Sequence, residues 1–133
     1  MNTSIFEKCV TGLQHIGIPT NDIEATIAFY EGLGFKTIYR VLNEAANEPV
    51  AFLEFGNLVL EIYQNNQAAM KTGAIDHIAL DTKNIGILYE EIKNAGYKII
   101  SGGINSLPFW ERGIRYFIIE GVNAEKIEFC EKL

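Results

Sequence analysis

An internal repeat constrains the fold of this chain more than any other feature of its sequence. Residues 13–18 and 75–80 both have the alternation of a β-strand, and each carries one histidine, His15 or His77. These histidines are 62 residues apart (77 − 15 = 62), and the same offset aligns further residues of the two halves without a gap. The aligned pairs include Ile16 with Ile78, Thr20 with Thr82, Ile23 with Ile85, Gly34 with Gly96, Lys36 with Lys98 and Ile38 with Ile100. The repeat predicts two copies of one supersecondary unit that pair within a single domain, residues 1–133.

Composition and charge narrow the class of protein. The chain has 133 residues, of which 48% are hydrophobic and 21% charged, as is typical of one soluble globular domain. The net charge of −6 and the lack of a basic stripe exclude nucleic acid as an expected partner, and no apolar run is long enough to span a membrane. Cys9 and Cys130 lack the spacing of a metal or redox motif, and the first residues lack the pattern of a signal peptide. We therefore expect a cytoplasmic protein with two reduced thiols.

Hydrophobic periodicity and turn residues predict the same order of elements in both halves: a strand, a helix and three strands. In the first module, about residues 10–66, Asn21 is expected to cap the helix together with Glu24. In the second module, about residues 74–133, the helix is expected to begin near Asn84. The predicted strands are 13–18, 36–42, 50–55 and 58–63, then 75–80, 97–101, 113–120 and 125–130, with an irregular stretch over 102–112. The sequence thus predicts an α+β fold of two βαβββ modules.

The alternation of side chains along the predicted strands selects four residues that carry chemistry. Glu61 lies on the face opposite the apolar residues of the last strand in the first module, and Glu128 takes the equivalent place in the second. His15 and His77 are also expected on the side turned away from the helices. One imidazole and one carboxylate from each half should therefore converge on one centre. Such a set suits a divalent metal with positions left open for water or substrate.

Each of these four residues also has a simpler interpretation. A lone histidine on a strand is usually a satisfied core or surface residue, and a lone glutamate facing away from the core is usually solvated. Other strand carboxylates, such as Glu54 and Glu120, show that these residues are common in this chain. The metal interpretation is favoured because all four residues occupy equivalent positions of the repeat.

The chain resembles the vicinal oxygen chelate superfamily, also called the glyoxalase/bleomycin resistance/dioxygenase fold, from residue 13 to residue 129. The motifs that carry the resemblance are His-Ile-Gly-Ile at 15–18, Leu-Gly-Phe at 33–35, Asp-His-Ile-Ala at 76–79, and the closing turn and strand at 120–129, which ends in Ile-Glu-Phe. The resemblance implies curved mixed sheets with helices on the outer face. It also implies a homodimer in which paired modules each cup a metal site.

Within the superfamily, the ligand set distinguishes one chemistry from another. Glyoxalase I enzymes use His, Glu, His and Glu in chain order, and by resemblance these correspond to His15, Glu61, His77 and Glu128. The resemblance implies one divalent ion per site, Zn, Ni, Co or Mn, and a reaction like that of lactoylglutathione lyase. In this reaction Glu128, with Glu61 second, would move a proton between adjacent carbons of a hemithioacetal such as the methylglyoxal–glutathione adduct.

Two other functions stay open at this point. A metal-dependent epimerase of an acyl-CoA ester would use the same proton abstraction, although methylmalonyl-CoA epimerases typically have glutamine where this chain has Glu61. A metal-free module that binds a drug or metabolite is the alternative from a different class. Pro19 stands where bacterial glyoxalase I has the arginine that meets glutathione, whereas Asn65 matches the asparagine that follows the second ligand. The resemblance therefore supports the metal chemistry more than it supports glutathione as the thiol.

Further residues are expected to contact the substrate. Tyr63 shares a face with Glu61 and should line the pocket. Residues 107–112, which include Trp110 and Arg112, mix apolar bulk with charge. They form either a lid, with Arg112 or Arg115 meeting an anionic substrate, or a surface loop with a half-buried tryptophan.

Overall fold

The computed structural model describes residues 3–133, with side chains from residue 5 onward. The elements in chain order are α1 Thr3–Cys9, β1 Ile16–Thr20, α2 Ile23–Gly32, β2 Lys36–Asn43, β3 Glu48–Phe55, β4 Leu58–Gln64, β5 His77–Asp81, α3 Ile85–Asn94, β6 Lys98–Ile99, β7 Asn105–Leu107, β8 Ile114–Glu120 and β9 Lys126–Lys132. This order confirms the predicted α+β fold of two modules, which begin at β1 and β5. In the part of the chain that is described, no helix combines the length and the hydropathy needed to cross a membrane.

Each module forms its own mixed sheet. The strand order is β1-β4-β3-β2 in the first sheet and β5-β9-β8-β6 in the second, where β7 also pairs with β8. In both sheets the first strand of the module runs parallel to the last, β1 beside β4 and β5 beside β9. The other neighbours are antiparallel. The first strand of each module, which begins directly after His15 or at His77, is therefore hydrogen-bonded directly to the strand that carries the glutamate of the same module.

The edge strand of the second sheet is interrupted, where the sequence predicts one strand over 97–101. β6 is short, and Ile100 extends its pairing by donating its N–H to the Ile118 carbonyl at 2.9 Å. Gly102 and Gly103 then adopt positive φ angles of 73° and 125°, which only glycine adopts readily. β7 returns to the same edge of β8 within the stretch predicted to be irregular. Together β6 and β7 occupy the place that β2 has in the first sheet.

The cap of α2 lies one residue later than predicted. Asp22, not Asn21, caps the helix, because its Oδ1 accepts the Ala25 N–H at 3.0 Å. Ile23 is buried at the start of the helix, which leaves Asp22 as the residue directly before it. Asn21 instead accepts the N–H of Ala68 at 3.0 Å and so holds the linker between the modules.

A side chain from the last strand of each module caps the helix of the same module. Gln64 Oε1 accepts the Ile23 N–H and Glu131 Oε1 accepts the Ile85 N–H, both at 2.9 Å. Asn84 stands at the predicted start of α3, but its φ of 57° is left-handed and its side chain makes no capping bond. Both capping residues follow the predicted glutamate ligands by three positions (64 − 61 = 3; 131 − 128 = 3), so each helix is tied to its ligand strand.

The helix-facing sides of both sheets share one hydrophobic core. Its buried residues are Ile18, Ile23, Ile27, Tyr30, Phe35, Ala51, Leu53, Leu60 and Ile62 from the first module, with Ile85, Ile92, Phe117, Ile119, Ile127 and Phe129 from the second. At the junction the Tyr30 hydroxyl donates to Glu125 Oε2 at 2.8 Å, and the Thr20 hydroxyl donates to Asn123 Oδ1 at 2.8 Å. Because the helix-facing sides meet in this core, the opposite faces of the sheets, which carry the predicted ligands, are turned away from it.

Candidate functional site

The first predicted ligand pair comes together at the start of β1. Gly17 is the residue directly opposite Glu61 on β4, and His15 precedes Gly17 by two positions on the same face. The distance from His15 Nε2 to Glu61 Oε1 is 4.0 Å, and the two side chains are 33% and 30% exposed. A metal ion could reach both groups from solvent at this position.

The second pair repeats this arrangement in the second sheet. Ala79 is opposite Glu128 on β9, and His77 precedes Ala79 by two positions, as His15 precedes Gly17. The distance from His77 Nε2 to Glu128 Oε1 is 3.6 Å. Glu128 is the most shielded of the four side chains, at 14% exposure, whereas His77 is 40% exposed.

The other ring nitrogen of each histidine has a partner in the residue before it. His15 Nδ1 lies 2.9 Å from Gln14 Oε1, and His77 Nδ1 lies 3.0 Å from Asp76 Oδ2. An Nδ1–H that donates to these oxygens leaves the Nε2 lone pair directed at the glutamate, as in histidines that ligate metals. The hydrogen bond from His77, with Lys126 close by, holds the pKa of Asp76 below its usual value. This donor set fits a divalent ion.

One chain keeps the two pairs apart. Among residues 3–133, no group of three or more His, Cys, Asp or Glu side chains lies close enough together to hold a metal. The expected convergence of all four ligands on one centre is therefore not met within a single chain. Each pair forms half of the expected donor set, and we call the pairs the His15 half-site (His15, Glu61) and the His77 half-site (His77, Glu128).

The first sheet places two aromatic residues beside the His15 half-site that the sequence did not single out. Phe52 is directly opposite Glu61, and its ring meets that of His15 edge to face at 5.8 Å. Tyr39 on β2 lies next to Phe52, with ring centroids 6.2 Å apart. The sequence holds little signal for this, because Phe52 sits in a largely apolar strand, and only the register with β4 shows which face it takes.

Of the predicted substrate contacts in the first module, Tyr63 shares the face of Glu61. Its ring is so close to Gly17 that a Cβ added there would lie 3.5 Å from Cε1. Asn65 lies just after β4, and its Oδ1 accepts the Gln67 N–H at 2.9 Å. The structure thus gives the Asn65 side chain a role in the turn that begins the linker.

In the second sheet, the register separates two neighbours on β8. Arg115 is opposite Glu131 and shares the helix-facing side with Phe117, so it lies on the other face of the sheet from Glu128. Tyr116 is opposite Cys130 and takes the face of Glu128. Burial and the nearby Glu128 carboxylate raise the pKa of the Cys130 thiol, which keeps this thiol protonated at neutral pH.

Trp110 lies at the far end of the face that carries Glu128. The Lys132 ammonium, four positions after Glu128 on β9, sits 4.2 Å from the centre of the Trp110 ring. Arg112 lines the same depression. The loop 107–112 therefore stands at the end of the strand that carries Glu128. Trp110 is 71% exposed, more than the half-buried tryptophan expected of a surface loop.

The fold agrees with the comparison to known families. The chain belongs to the Glyoxalase/Bleomycin resistance protein/Dioxygenase superfamily, whose family model matches residues 12–104. It is similar to the uncharacterized protein YwbC of Bacillus subtilis (strain 168), with 35% identity over 125 residues, which are 90% of this chain and 97% of YwbC. The resemblance inferred from the sequence is thereby confirmed at the level of the superfamily.

Solved structures show the same fold. A glyoxalase family protein from Enterococcus faecalis has a TM-score of 0.77 at 20% identity, covering 92% of this chain and 98% of that protein. The fosfomycin resistance protein FosX from Listeria monocytogenes, crystallised with Mn(II) and sulfate, has a TM-score of 0.72 at 17% identity, covering 93% and 94%. One protein of this fold has thus been crystallised with a divalent metal.

Proposed function

We propose that this protein is a metal-dependent enzyme of the glyoxalase type, which moves a proton between adjacent carbons of a thiol-adduct substrate such as a hemithioacetal. One observation carries the proposal: both halves present a His Nε2 toward a Glu carboxylate, at 4.0 Å and 3.6 Å, with Nδ1 engaged by the preceding side chain. Solvated surface residues do not require this arrangement at equivalent positions, whereas residues that bind a metal do require it.

The complete site is proposed to form between two copies of the chain in a homodimer. Each chain offers the His15 half-site and the His77 half-site in separate places, so the first of one copy would complete the second of the other. The protomer has apolar surface for such an interface, since β2 is exposed along most of its length, with Ile38, Tyr39, Val41 and Leu42 all at least 42% exposed. A twofold axis would then generate two equivalent sites.

The side chains have distinct roles in this proposal. His15, Glu61, His77 and Glu128 would hold one divalent ion per site, such as Zn, Ni, Co or Mn. When bound, the ion would polarise the substrate oxygens and make the neighbouring C–H more acidic. Glu128, the most shielded of the four, takes the proton from one carbon and returns it to the next, with Glu61 as the second base on the other side.

Residues around the half-sites orient the substrate. Phe52 and Tyr63 flank Glu61 and exclude water from that side, and Tyr39 extends the aromatic surface outward. Trp110 and Arg112 stand at the other end, beyond Glu128. Pro19, which carries no charge, stands where bacterial glyoxalase I has its glutathione-binding arginine, so the preferred thiol is expected to differ from glutathione.

The proposal is tested by metal binding followed by hydrogen exchange. Apo protein is titrated with Ni, Co, Zn and Mn, and each loaded form is then given hemithioacetals of several thiols and acyl-CoA esters in heavy water. Metal-dependent exchange of a substrate C–H with hemithioacetals supports the proposed reaction, whereas exchange with acyl-CoA esters alone indicates the epimerase. Failure of all four metals to bind would refute the proposal and leave the binding module as the remaining interpretation.

A further inference from the structure

A pocket opens between the two modules on the helix-facing side of the sheets, and the proposed proton transfer does not use it. Its cavity has a volume of about 210 Å³. The apolar lining comes from both modules, with Leu33, Phe35 and Phe55 from the first and Leu80, Leu88 and Phe129 from the second. We call this cavity the junction pocket. Because Leu80 and Phe129 pack in the shared core, the pocket and the predicted ligands lie on opposite faces of the second sheet.

Three phenylalanine rings form most of the wall of the junction pocket. Phe35 packs against Phe55 with ring centroids 5.4 Å apart, and Phe129 stacks on the buried Phe117 ring at 4.9 Å. Phe35 and Phe129 are 4% and 6% exposed, whereas Phe55 is 51% exposed. The core therefore fixes two of the rings, while the third lies at the rim with half of its surface accessible.

Gly34 allows Phe55 to take this position at the rim. Its φ of 100° lies in the region that favours glycine. A Cβ on Gly34 would lie only 3.0 Å from Cε2 of the Phe55 ring, so a larger residue would displace the ring and change the entrance of the pocket.

The size and the lining of the pocket define the kind of ligand that fits. An apolar cavity of about 150 Å³ is large enough to bind benzene. The junction pocket, at about 210 Å³, therefore has room for one six-membered ring and a small substituent. Aromatic rings gain energy from edge-to-face and offset contacts with one another, so the rings of Phe35, Phe55 and Phe129 favour an aromatic ligand.

Lys83 supplies the positive charge at the entrance of the pocket. Asp81 also lines the pocket, but it is opposite Cys130 in the strand register, so its carboxylate takes the other face of the sheet. The Thr82 hydroxyl donates to the Leu80 carbonyl at 2.9 Å and is thus already satisfied. None of the ion pairs found among residues 3–133 includes the exposed Lys83. Its ammonium is therefore available to an anion bound beside the apolar cavity.

We propose that the junction pocket binds a small aromatic acid with one ring, whose carboxylate pairs with the Lys83 ammonium. The ring of the ligand lies among Phe35, Phe55 and Phe129, in the place that the core leaves open. This inference does not rest on the proposed function, because the pocket and the half-sites lie on opposite faces of the sheet. The ligand contacts both modules, so it stabilises the folded chain as any ligand of the native state does.

Titration of the metal-free protein with three probes tests the ring and the charge separately. Benzoate has both, benzamide has the ring without the charge, and acetate has the charge without the ring. Binding is followed by NMR of the backbone amides at constant ionic strength. Benzoate should shift the signals of Leu33, Lys83 and Leu88 saturably, benzamide should bind more weakly, and acetate should not bind. Absence of saturable shifts with benzoate, or shifts confined to residues around Glu61, overturns the proposal.

The matched variants are Lys83→Met and Lys93→Met. Both lysines are exposed and belong to the second module, but Lys93 lies in the last turn of α3, outside the lining of the pocket. Lys83→Met should weaken benzoate binding about threefold to tenfold, as expected for the loss of a partly exposed charge pair, and should bind benzamide like the wild type. Lys93→Met should bind both probes like the wild type. Equal weakening of benzoate binding in the two variants, or none in Lys83→Met, contradicts the role of Lys83.

A second readout separates this inference from the proposed function. Both lysine variants are titrated with Co(II), which is followed by its absorption, and Lys83→Met should bind it like the wild type. Benzoate binding without metal binding would leave the junction pocket in place and refute the metal enzyme. Metal binding and hydrogen exchange without benzoate binding would leave the enzyme in place and refute the pocket.

Discussion

At the scale of single residues, the hydrogen bonds to Nδ1 distinguish the two histidines from ordinary surface imidazoles. Each acceptor is the side chain of the residue directly before the histidine, Gln14 Oε1 or Asp76 Oδ2. This contact selects the tautomer that leaves Nε2 free and limits rotation of the ring. The two acceptors differ in charge, since Asp76 is a carboxylate and Gln14 a neutral amide.

The Asp76 carboxylate should therefore tune metal affinity without being a ligand. We expect Asp76→Ala to lower the affinity for Co(II) by roughly 10–100-fold, the range typical of partners that orient metal ligands. Asp76→Asn keeps an acceptor oxygen, so its affinity for Co(II) should fall much less. Isothermal titration of both variants checks this, and equal affinities for the alanine and asparagine variants would contradict an orienting role.

Glu128 should be needed for proton transfer more than for the metal. Glu128→Gln removes the base but keeps a neutral oxygen, so metal should bind more weakly while hydrogen exchange slows by roughly 10²–10⁴-fold. Glu54→Gln is the matched control, because Glu54 is an exposed strand carboxylate outside both half-sites. Undiminished exchange in Glu128→Gln, measured by NMR in heavy water at saturating metal, would remove Glu128 from the mechanism.

At the scale of elements, each module links its helix to its ligand strand through one side chain. Gln64 and Glu131 accept the first helical N–H, of Ile23 and Ile85 respectively. A free N–H at a helix start is unfavourable when water cannot reach it. Each capping residue lies three positions after the glutamate on the same strand. The cap therefore fixes the start of each helix relative to the strand that carries this glutamate.

Removing these caps should cost stability in both modules by similar amounts. Gln64→Ala and Glu131→Ala should each lower the free energy of unfolding by about 0.5–2 kcal/mol, the usual range for a lost N-terminal cap. Gln67→Ala is the control, since Gln67 is exposed and follows the strand. Urea unfolding followed by circular dichroism measures all three, and a loss in the control equal to that in the cap variants would contradict this role.

The contact between α2 and the β8–β9 turn should be sensitive to alkali. Tyr30 is buried and donates to Glu125, and both effects raise the pKa of its hydroxyl above the ordinary value of 10.0. A raised pKa in the folded state means that this stabilisation is complete below about pH 10 and is lost as the pH rises further. Tyr30→Phe should be less stable by about 1–3 kcal/mol at pH 8.

The deficit of Tyr30→Phe should therefore shrink at high pH. Urea unfolding of wild type and variant at about pH 8 and about pH 11 gives the two differences in free energy. Tyr97, whose pKa is raised by burial alone, provides the comparison variant Tyr97→Phe, whose deficit should be smaller and should change less with pH because no bond to a carboxylate is lost. A deficit of Tyr30→Phe that stays constant or grows with pH would contradict the linkage.

At the scale of the whole molecule, the two half-sites lie apart in one chain, so the proposed metal site requires residues from two chains. A shared core joins the helix-facing sides of both sheets, so the ligand faces of one chain cannot meet each other. A second chain can supply the missing half of each site. The protein should therefore sediment as a dimer at micromolar concentration, and a monomer that binds metal fully would contradict the two-chain site.

Mixing two inactive variants should restore activity. In the proposed dimer, His15→Ala and His77→Ala would each damage both sites of their own homodimers. A mixed dimer has one site with both defects and one intact site. After subunits exchange between equal amounts of the two variants, about half of the dimers should be mixed, and each mixed dimer has one intact site of two. Roughly a quarter of all sites should then be complete, which gives about a quarter of the wild-type activity. No recovery of hydrogen exchange after mixing, with subunit exchange verified, would place the site within one chain.

Much of the fold could be predicted because its signals are local and repeated. The histidine motif, the glycine turns and the alternation along the strands are each contained in a short stretch of sequence, and the two copies of the repeat confirm one another. The same alternation placed Glu61 and Glu128 on the faces opposite the core. Periodicity suffices where one face of a strand is apolar and the other polar.

The remaining features depend on contacts between segments far apart in sequence, and only the tertiary structure decided them. In β8, apolar residues lie on both sides of the strand, so alternation cannot show that Arg115 faces the helices while Tyr116 faces the site; pairing with β9 does. Asp22 replaces Asn21 as the cap because burial of Ile23 sets where the helix begins. The sequence alone determined two modules with a His and a Glu each. The packing of both helix-facing sides into one core decided that a single chain holds these residues as two separate pairs.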